Sequence, residues 1–187
     1  MIDDHSSGSL VVPASTQDHR QGVLSAAVVL VMYGDYQCSK SAAVNKLIKV
    51  IRQELTVSFG EDYLCFIFRH FPQTQIHPQS QRAAQAAQTA AAQGQFWQMH
   101  DSLFDHRQAL GNGYLVEYAN QLGLDIPQFL QQLPQQTHLD RIHADMLVSR
   151  IFRHSSTVMF GMIAFNHKEK HSQAACFMRK GSNLIRL

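Results

Sequence analysis

The sequence predicts an α/β fold: a parallel βαβ unit, then a helical block, then a return to strand. Three observations carry that expectation. A β-branched run, "AAVVLVMYGDY", precedes a segment with helical periodicity, and a second strand-like run, "DYLCFIFRHFP", follows it. From residue 77 to about 154 the composition turns helical. "STVMFGMIAFN" then restores strand composition.

Taken in order, residues 27–33 read as a buried strand that ends at Gly34. Past Cys38, Val44, Leu47, Ile48, Ile51 and Leu55 recur at the spacing of one helix face, so an amphipathic helix is expected over 39–55. The second strand is stopped by Pro72, which cannot donate to a sheet ladder. Strands joined through a helix pair in parallel. "PQSQRAAQAAQTAAAQGQ" is rich in Ala and Gln, both good helix formers, with a break at Gly94. "FWQMHDSLF" suits a short helix that buries Phe96, Trp97 and Leu103, and "YLVEYANQLGL" a helix closing at Gly123. "IPQFLQQL" adds a turn or two, and "HLDRIHADMLVSRIFRH" places Leu139, Ile142, Met146 and Ile151 near one helix face. "AACFM" is a candidate edge strand. The expected organisation is a flexible segment over 1–23 and one domain over 24–187, interrupted by the helical insertion.

Composition narrows the function. The 187 residues carry a formal charge of +2 with no dense Lys/Arg block, which gives no push toward nucleic acid or an anionic membrane. No apolar run approaches the roughly 20 residues needed to span a bilayer. The start, "MIDDHSSGSLVVPASTQDHRQG", has no apolar stretch of the signal-peptide kind, so a soluble, cytoplasmic chain is expected. Cys38, Cys65 and Cys176 cannot all pair, and their spacing fits no zinc pattern. The eleven histidines show no helical His-x-x-x-His and no Cys/His grouping, so no metal site is expected.

The order of "GDYQC", "FRHFP", "HP", the Ala-rich helix, "QGQFWQMHDSLF" and "YANQLGLD" resembles the DsbA-like branch of the thioredoxin superfamily over roughly residues 24 to 165. The resemblance implies a thioredoxin-like core with a helical insertion, and thiol-disulfide exchange at a Cys-x-x-Cys motif opening the first helix. Here that motif is "CSKS": Cys38 is kept, Ser39 stands where the family has proline, and Ser41 where it has the second cysteine. The family's Thr-Pro, with its proline cis, best matches Thr157 and Val158; a shifted register would put Phe160–Gly161 there. A cis bond before a non-proline residue costs about 2.5–4 kcal/mol, so a trans Thr157–Val158 bond and weaker peptide docking are expected. Beyond Asn166 the likeness fades.

Chemically, a cysteine at a helix start meets unpaired amide groups and the positive end of the helix dipole, which favour thiolate over thiol. Lys40 adds a cation, and Ser41, one turn on, is placed to donate its hydroxyl to the sulfur. The candidate catalytic residues are therefore Cys38 and Ser41, with Tyr36, Ser39, Lys40, Thr157 and Val158 as candidate substrate-binding residues. Asp35 is either a proton acceptor or a turn former, and Tyr36 either lines the thiol or packs in the core. Cys65 reads as a buried core residue. Without a second cysteine the thiol cannot pass on or re-form an internal disulfide, so monothiol exchange with protein or glutathione disulfides is the leading expectation. No resident cofactor is implied; glutathione is a candidate co-substrate, and the expected partners are thiol- or disulfide-bearing proteins or small molecules. Two alternatives stay open: an inactive thioredoxin-fold binding or scaffold protein, and a glutathione-dependent transferase or isomerase relative.

Overall fold

The computed structural model describes residues 14–151 and 162–163. Cys176, Thr157, Val158, Phe160–Gly161, the "AACFM" segment and the stretch past Asn166 lie outside the described residues.

Two central strands, β2 (Val28–Gly34) and β3 (Leu64–His70), pair in parallel with Val28 opposite Leu64 and Gly34 opposite His70. Both are buried almost throughout, the behaviour of parallel strands covered on both faces. Their alternation sorts the core. Leu30, Met32, Phe66 and Phe68 face the large cluster shared with the helices, while Val29, Val31, Tyr33, Cys65 and Ile67 form a smaller cluster. Between them in sequence runs α1 (Ser39–Phe59), one turn longer than the periodicity predicts. Gly60, with φ of +92°, ends it in a conformation that favours glycine.

Two further strands flank the pair. β4 (Met162–Ile163) lies antiparallel to β2, with Leu30 opposite Ile163. β1 (His19–Gln21) lies antiparallel to β3, with His19 opposite Phe68. The sheet order is β1-β3-β2-β4. β1 lies within the stretch 1–23 expected to be flexible: these three residues of polar composition carry no period-2 signal, yet they pair with β3. They are held by Asp18, whose carboxylate accepts two bonds from the Arg69 guanidinium at 2.9 Å and lies 3.3 Å from Arg141. Arg69 also donates to the Tyr33 hydroxyl at 2.9 Å. Asp18 and Arg69 are each only 3% exposed, so the pair stays hydrogen-bonded because either charge left alone in that position would be costly.

The helical block follows as α2 (Ser80–Ala92), α3 (Phe96–Asp105), α4 (Asn112–Gln121), α5 (Ile126–Gln132) and α6 (Gln136–Ile151). The Ala/Gln segment is the centre of this block. Ala83, Ala84, Ala86, Ala87 and Ala90 are fully buried, and side chains this small let neighbouring helices approach closely. Its buried glutamines are satisfied, Gln85 by donating to the Leu133 carbonyl at 3.2 Å. Asp125 caps α5 by accepting from the Gln128 amide. Among the described residues no helix is long and apolar enough to cross a membrane.

Gly22 joins β1 to the core at φ of +105°, and a Cβ there would sit 2.6 Å from the Leu64 carbonyl oxygen. Gly22→Ala is therefore expected to lower stability by more than about 1 kcal/mol, read as a shift of the urea midpoint at constant slope. An unchanged midpoint would mean that β1 does not depend on this close approach.

Candidate active site at the start of α1

The link between β2 and α1 is a turn built around one carboxylate. Asp35 is 2% exposed and its two oxygens accept three bonds. Oδ1 takes the Gln37 amide at 2.8 Å, the side-chain-to-backbone turn that aspartate favours. Oδ2 takes the Gln73 amide at 2.9 Å and His77 Nδ1 at 2.8 Å. The Asp35 carbonyl accepts from the Cys38 amide at 3.1 Å, and the Phe71 amide donates to Gly34 at 2.8 Å. Gln37 reaches across to accept from the Gln79 amide at 2.9 Å, just before α2. Of the two roles expected for Asp35, the turn-forming one accounts for the Gln37 bond; the other two tie the turn to the segment after β3, and His77 is a partner that sequence reasoning missed.

This turn sets Cys38 as the N-cap of α1, with extended backbone angles of −77° and 123° and no side-chain capping bond. Its carbonyl accepts the first helical bond, from Ala42 at 3.1 Å. The residue keeps 7% of its surface, whereas Cys65 keeps none, as its core placement implied. Burial raises the Cys65 thiol above its ordinary pKa. Ser39 and Lys40 lie exposed beside Cys38. Ser41 is buried, and its hydroxyl oxygen accepts from the Asp35 amide at 3.3 Å, which leaves its own proton to donate. Tyr36, named as a candidate substrate-binding residue, turns into the core instead: it is 1% exposed and packs on Phe68 and Phe104. Thr157 and Val158 lie outside the described residues.

Behind the turn stands a buried polar cluster that linear spacing did not reveal. The Tyr36 hydroxyl lies 3.1 Å from His100 Nδ1, and His100 Nε2 lies 3.1 Å from Asn45 Oδ1. Since the Asn45 oxygen can only accept, His100 carries its proton on Nε2 and Tyr36 donates to Nδ1. Gln88 donates through Nε2 to His70 Nε2 at 2.8 Å and to His19 Nε2 at 2.9 Å. Both of those rings therefore hold their protons on Nδ1, and that atom of His70 has no partner. Burial disfavours the charged form of each ring, pushing His19 down to about 4 and His70 and His100 well below the ordinary value. Asp145 on α6 accepts the His70 amide at 2.9 Å and lies 3.3 Å from Arg141 Nε, an ion-pair contact. Burial raises it to about 6, against the opposing pull of Arg141. The histidines are 51 and 30 residues apart, and only folding brings them together. Among the described residues no group of His, Cys, Asp and Glu is arranged to hold a metal.

Comparison with known proteins agrees with this architecture. The chain belongs to the thioredoxin family: the family's sequence profile, described as Thioredoxin, matches residues 14–160. The fold is of the DsbA type. α-DsbA1 of Wolbachia pipientis superposes with a TM-score of 0.69 over 90% of this chain and 84% of its own, at 16% identity. BdbD of Bacillus subtilis gives 0.65 over 83% and 85%, at 19% identity. Curated relatives are of another kind. The Na(+)/H(+) antiporter NhaA 3 of Salinispora tropica is 34% identical over 152 residues, and NhaA 1 of Mycobacterium sp. (strain KMS) is 38% identical over 144. These matches cover 81% and 76% of this chain but 22% of each antiporter, so the chain spans about a fifth of the length of those relatives.

Two expected outcomes test this site. Asp35→Ala strands the Gln37 and Gln73 amides and should cost roughly 2–3 kcal/mol, with faster hydrogen exchange at those two amides. Equal exchange would show that the carboxylate does not hold the turn. The second outcome concerns acid. Below pH 6.5 the unfolded chain takes up protons on His19, His70 and His100 that the folded chain refuses, so each of the three destabilises as pH falls. Asp145 acts oppositely: its folded carboxyl protonates near pH 6 and its unfolded one near 3.8, so it adds stability over that interval as pH falls. Three sites outweigh one. Unfolding free energy should fall from pH 6.5 to 4, by about 1.4 kcal/mol per pH unit for each net proton, and Asp145→Asn should steepen the fall. A flat profile, or no steepening, would contradict the burial assigned to these groups.

Proposed function

We propose that the chain is a monothiol exchange protein whose working group is the Cys38 sulfur. The observation that carries the reading is the placement of that sulfur: at the N-cap of α1, without a capping bond, on a turn fixed by Asp35. A helix start stabilises negative charge through its free amides and dipole, and α1 has no acidic residue in its first turn to compete. The exposed Ser39 and Lys40 form the approach to the sulfur. Ser41 is a positioning residue whose hydroxyl proton is available to the thiolate.

The step balances without a second cysteine. Cys38 thiolate attacks the glutathione sulfur of a protein–glutathione mixed disulfide, forming Cys38–S–S–glutathione and releasing the protein thiolate. A free glutathione thiolate then attacks that disulfide at the glutathione sulfur, giving glutathione disulfide and restoring Cys38. One mixed disulfide and one thiol become one thiol and one small disulfide, with no outside oxidant. The need for an external thiol suits a cytoplasmic setting, where the glutathione pool is reduced.

A second reading, a partner-binding module, is favoured by the antiporter relatives, in which a stretch of this kind is a fifth of a longer protein. In that case the fold serves a membrane transporter and Cys38 is dispensable.

Turnover separates the two. Wild type should release glutathione from a glutathionylated peptide, Cys38→Ser should not, and iodoacetamide should label native Cys38 faster than Cys65 by roughly tenfold or more. Ser41→Cys should gain insulin reduction, since it restores a resolving thiol. Equal labelling of the two cysteines, or turnover that survives Cys38→Ser, would overturn the monothiol reading.

A further inference from the structure

Further along α1, away from the thiol, the helix forms one wall of a cavity of about 230 Å³ against α3 and the edge of the sheet. Its lining begins at Asn45, seven residues past Cys38, and reaches Arg52, so it lies roughly 10–20 Å along the helix axis from the sulfur. Ile48, Phe66 and Trp97 supply the apolar surface. The Phe66 and Trp97 rings sit 5.6 Å apart and are inclined to each other by 43°, so they form an angled apolar corner of the cavity.

The charges around this cavity do not balance. Lys49 and Asp101 neutralise each other across 2.8 Å at the rim, each about half-exposed. His100 is uncharged, held down by burial, with both ring nitrogens already bonded to Tyr36 and Asn45. Arg52 is the excess. Among the described residues its hydrogen bond goes to a neutral acceptor, Gln21 Oε1, and no carboxylate forms an ion pair with it. Burial disfavours its charge, lowering its pKa from the ordinary value, and nearby Cys65 and Asp101 only partly offset this. A guanidinium has five N–H donors, so the one bond to Gln21 leaves a fork open.

We propose that this cavity binds a small organic monocarboxylate with a flat apolar body. The carboxylate takes two parallel bonds from Arg52, and the body lies between Ile48, Phe66 and Trp97. The net single positive charge of the lining matches one negative charge rather than two. The limited volume selects a molecule of about ten heavy atoms, for which binding on the order of 1 mM is expected. The site is separate from the thiol and does not depend on exchange chemistry at Cys38.

Trp97 is the only tryptophan of the chain and lines this cavity, so its fluorescence reports from the site. Phenylacetate titrated into the full chain at constant ionic strength should give a saturable change. Phenylacetamide, the neutral analogue of the same shape, should bind roughly tenfold or more weakly, because a charged acceptor is lost. Arg52→Gln should weaken phenylacetate by a similar factor, Arg52→Lys by less, and Lys49→Gln by less again. Cys38→Ser should leave the titration unchanged. Circular dichroism and the urea midpoint certify that each variant is folded; Lys49→Gln, at a half-exposed position, serves if Arg52→Gln is not. No saturation to about 20 mM would overturn the proposal. So would equal binding of the amide, equal binding of inorganic phosphate, or titrations indifferent to both the Arg52 and Lys49 variants.

Discussion

The Asp35 carboxylate holds the candidate site together. A carboxylate this deeply buried is tolerated only when donors replace the water it has lost, and it finds three, Gln37, Gln73 and His77. The first bond closes the turn that presents Cys38, and the other two fasten that turn to the segment entering the helical block. One residue therefore fixes where α1 starts and how it meets the chain after β3. The position of the sulfur follows from a hydrogen-bonding requirement, and a less tightly tied loop would not hold it in one geometry.

Behind the turn, the core carries more polar groups than a helical insertion needs for packing. Tyr36, His100 and Asn45 form one chain of bonds, and Gln88 with His19 and His70 forms another. Each histidine stays neutral because it is desolvated, and each proton is located by a partner: Asn45 accepts it from His100, and the Gln88 donor at Nε2 leaves it on Nδ1 of His19 and His70. Such networks specify one packing arrangement, since an alternative arrangement strands a polar atom. The cost is sensitivity to acid, which arises from the same burial that makes the arrangement unique.

Much of the fold was legible in the chain because its signals are local. The β-branched run before Gly34, the helical spacing from Val44 to Leu55 and the stop at Pro72 each depend on neighbours in sequence. Cys38 at the helix start was legible for the same reason. β1 was not: His19, Arg20 and Gln21 have no apolar alternation, and their strand exists because Asp18 meets Arg69 fifty-one residues later. For Tyr36 the sequence left two roles open, lining the thiol or packing in the core; its inward turn depends on His100, sixty-four residues on, which accepts its hydroxyl. Asp145 on α6 pairs with Arg141 one turn before it, which is visible in the chain, and with the His70 amide seventy-five residues back, which is not.

The family and the site thus belong to different levels of argument. The thioredoxin core follows from the strand and helix pattern; its fold is shared with DsbA-type structures and its sequence with a stretch of sodium–proton antiporters. The site rests on a different footing: one sulfur at a helix tip, on a turn held by a carboxylate that accepts three bonds. The most direct measurement is the intact mass of the native chain after incubation with glutathione disulfide, followed by peptide mapping. A single glutathione adduct on Cys38, removed by excess reduced glutathione, is the result this account predicts. A chain that stays unmodified until it is unfolded would contradict it.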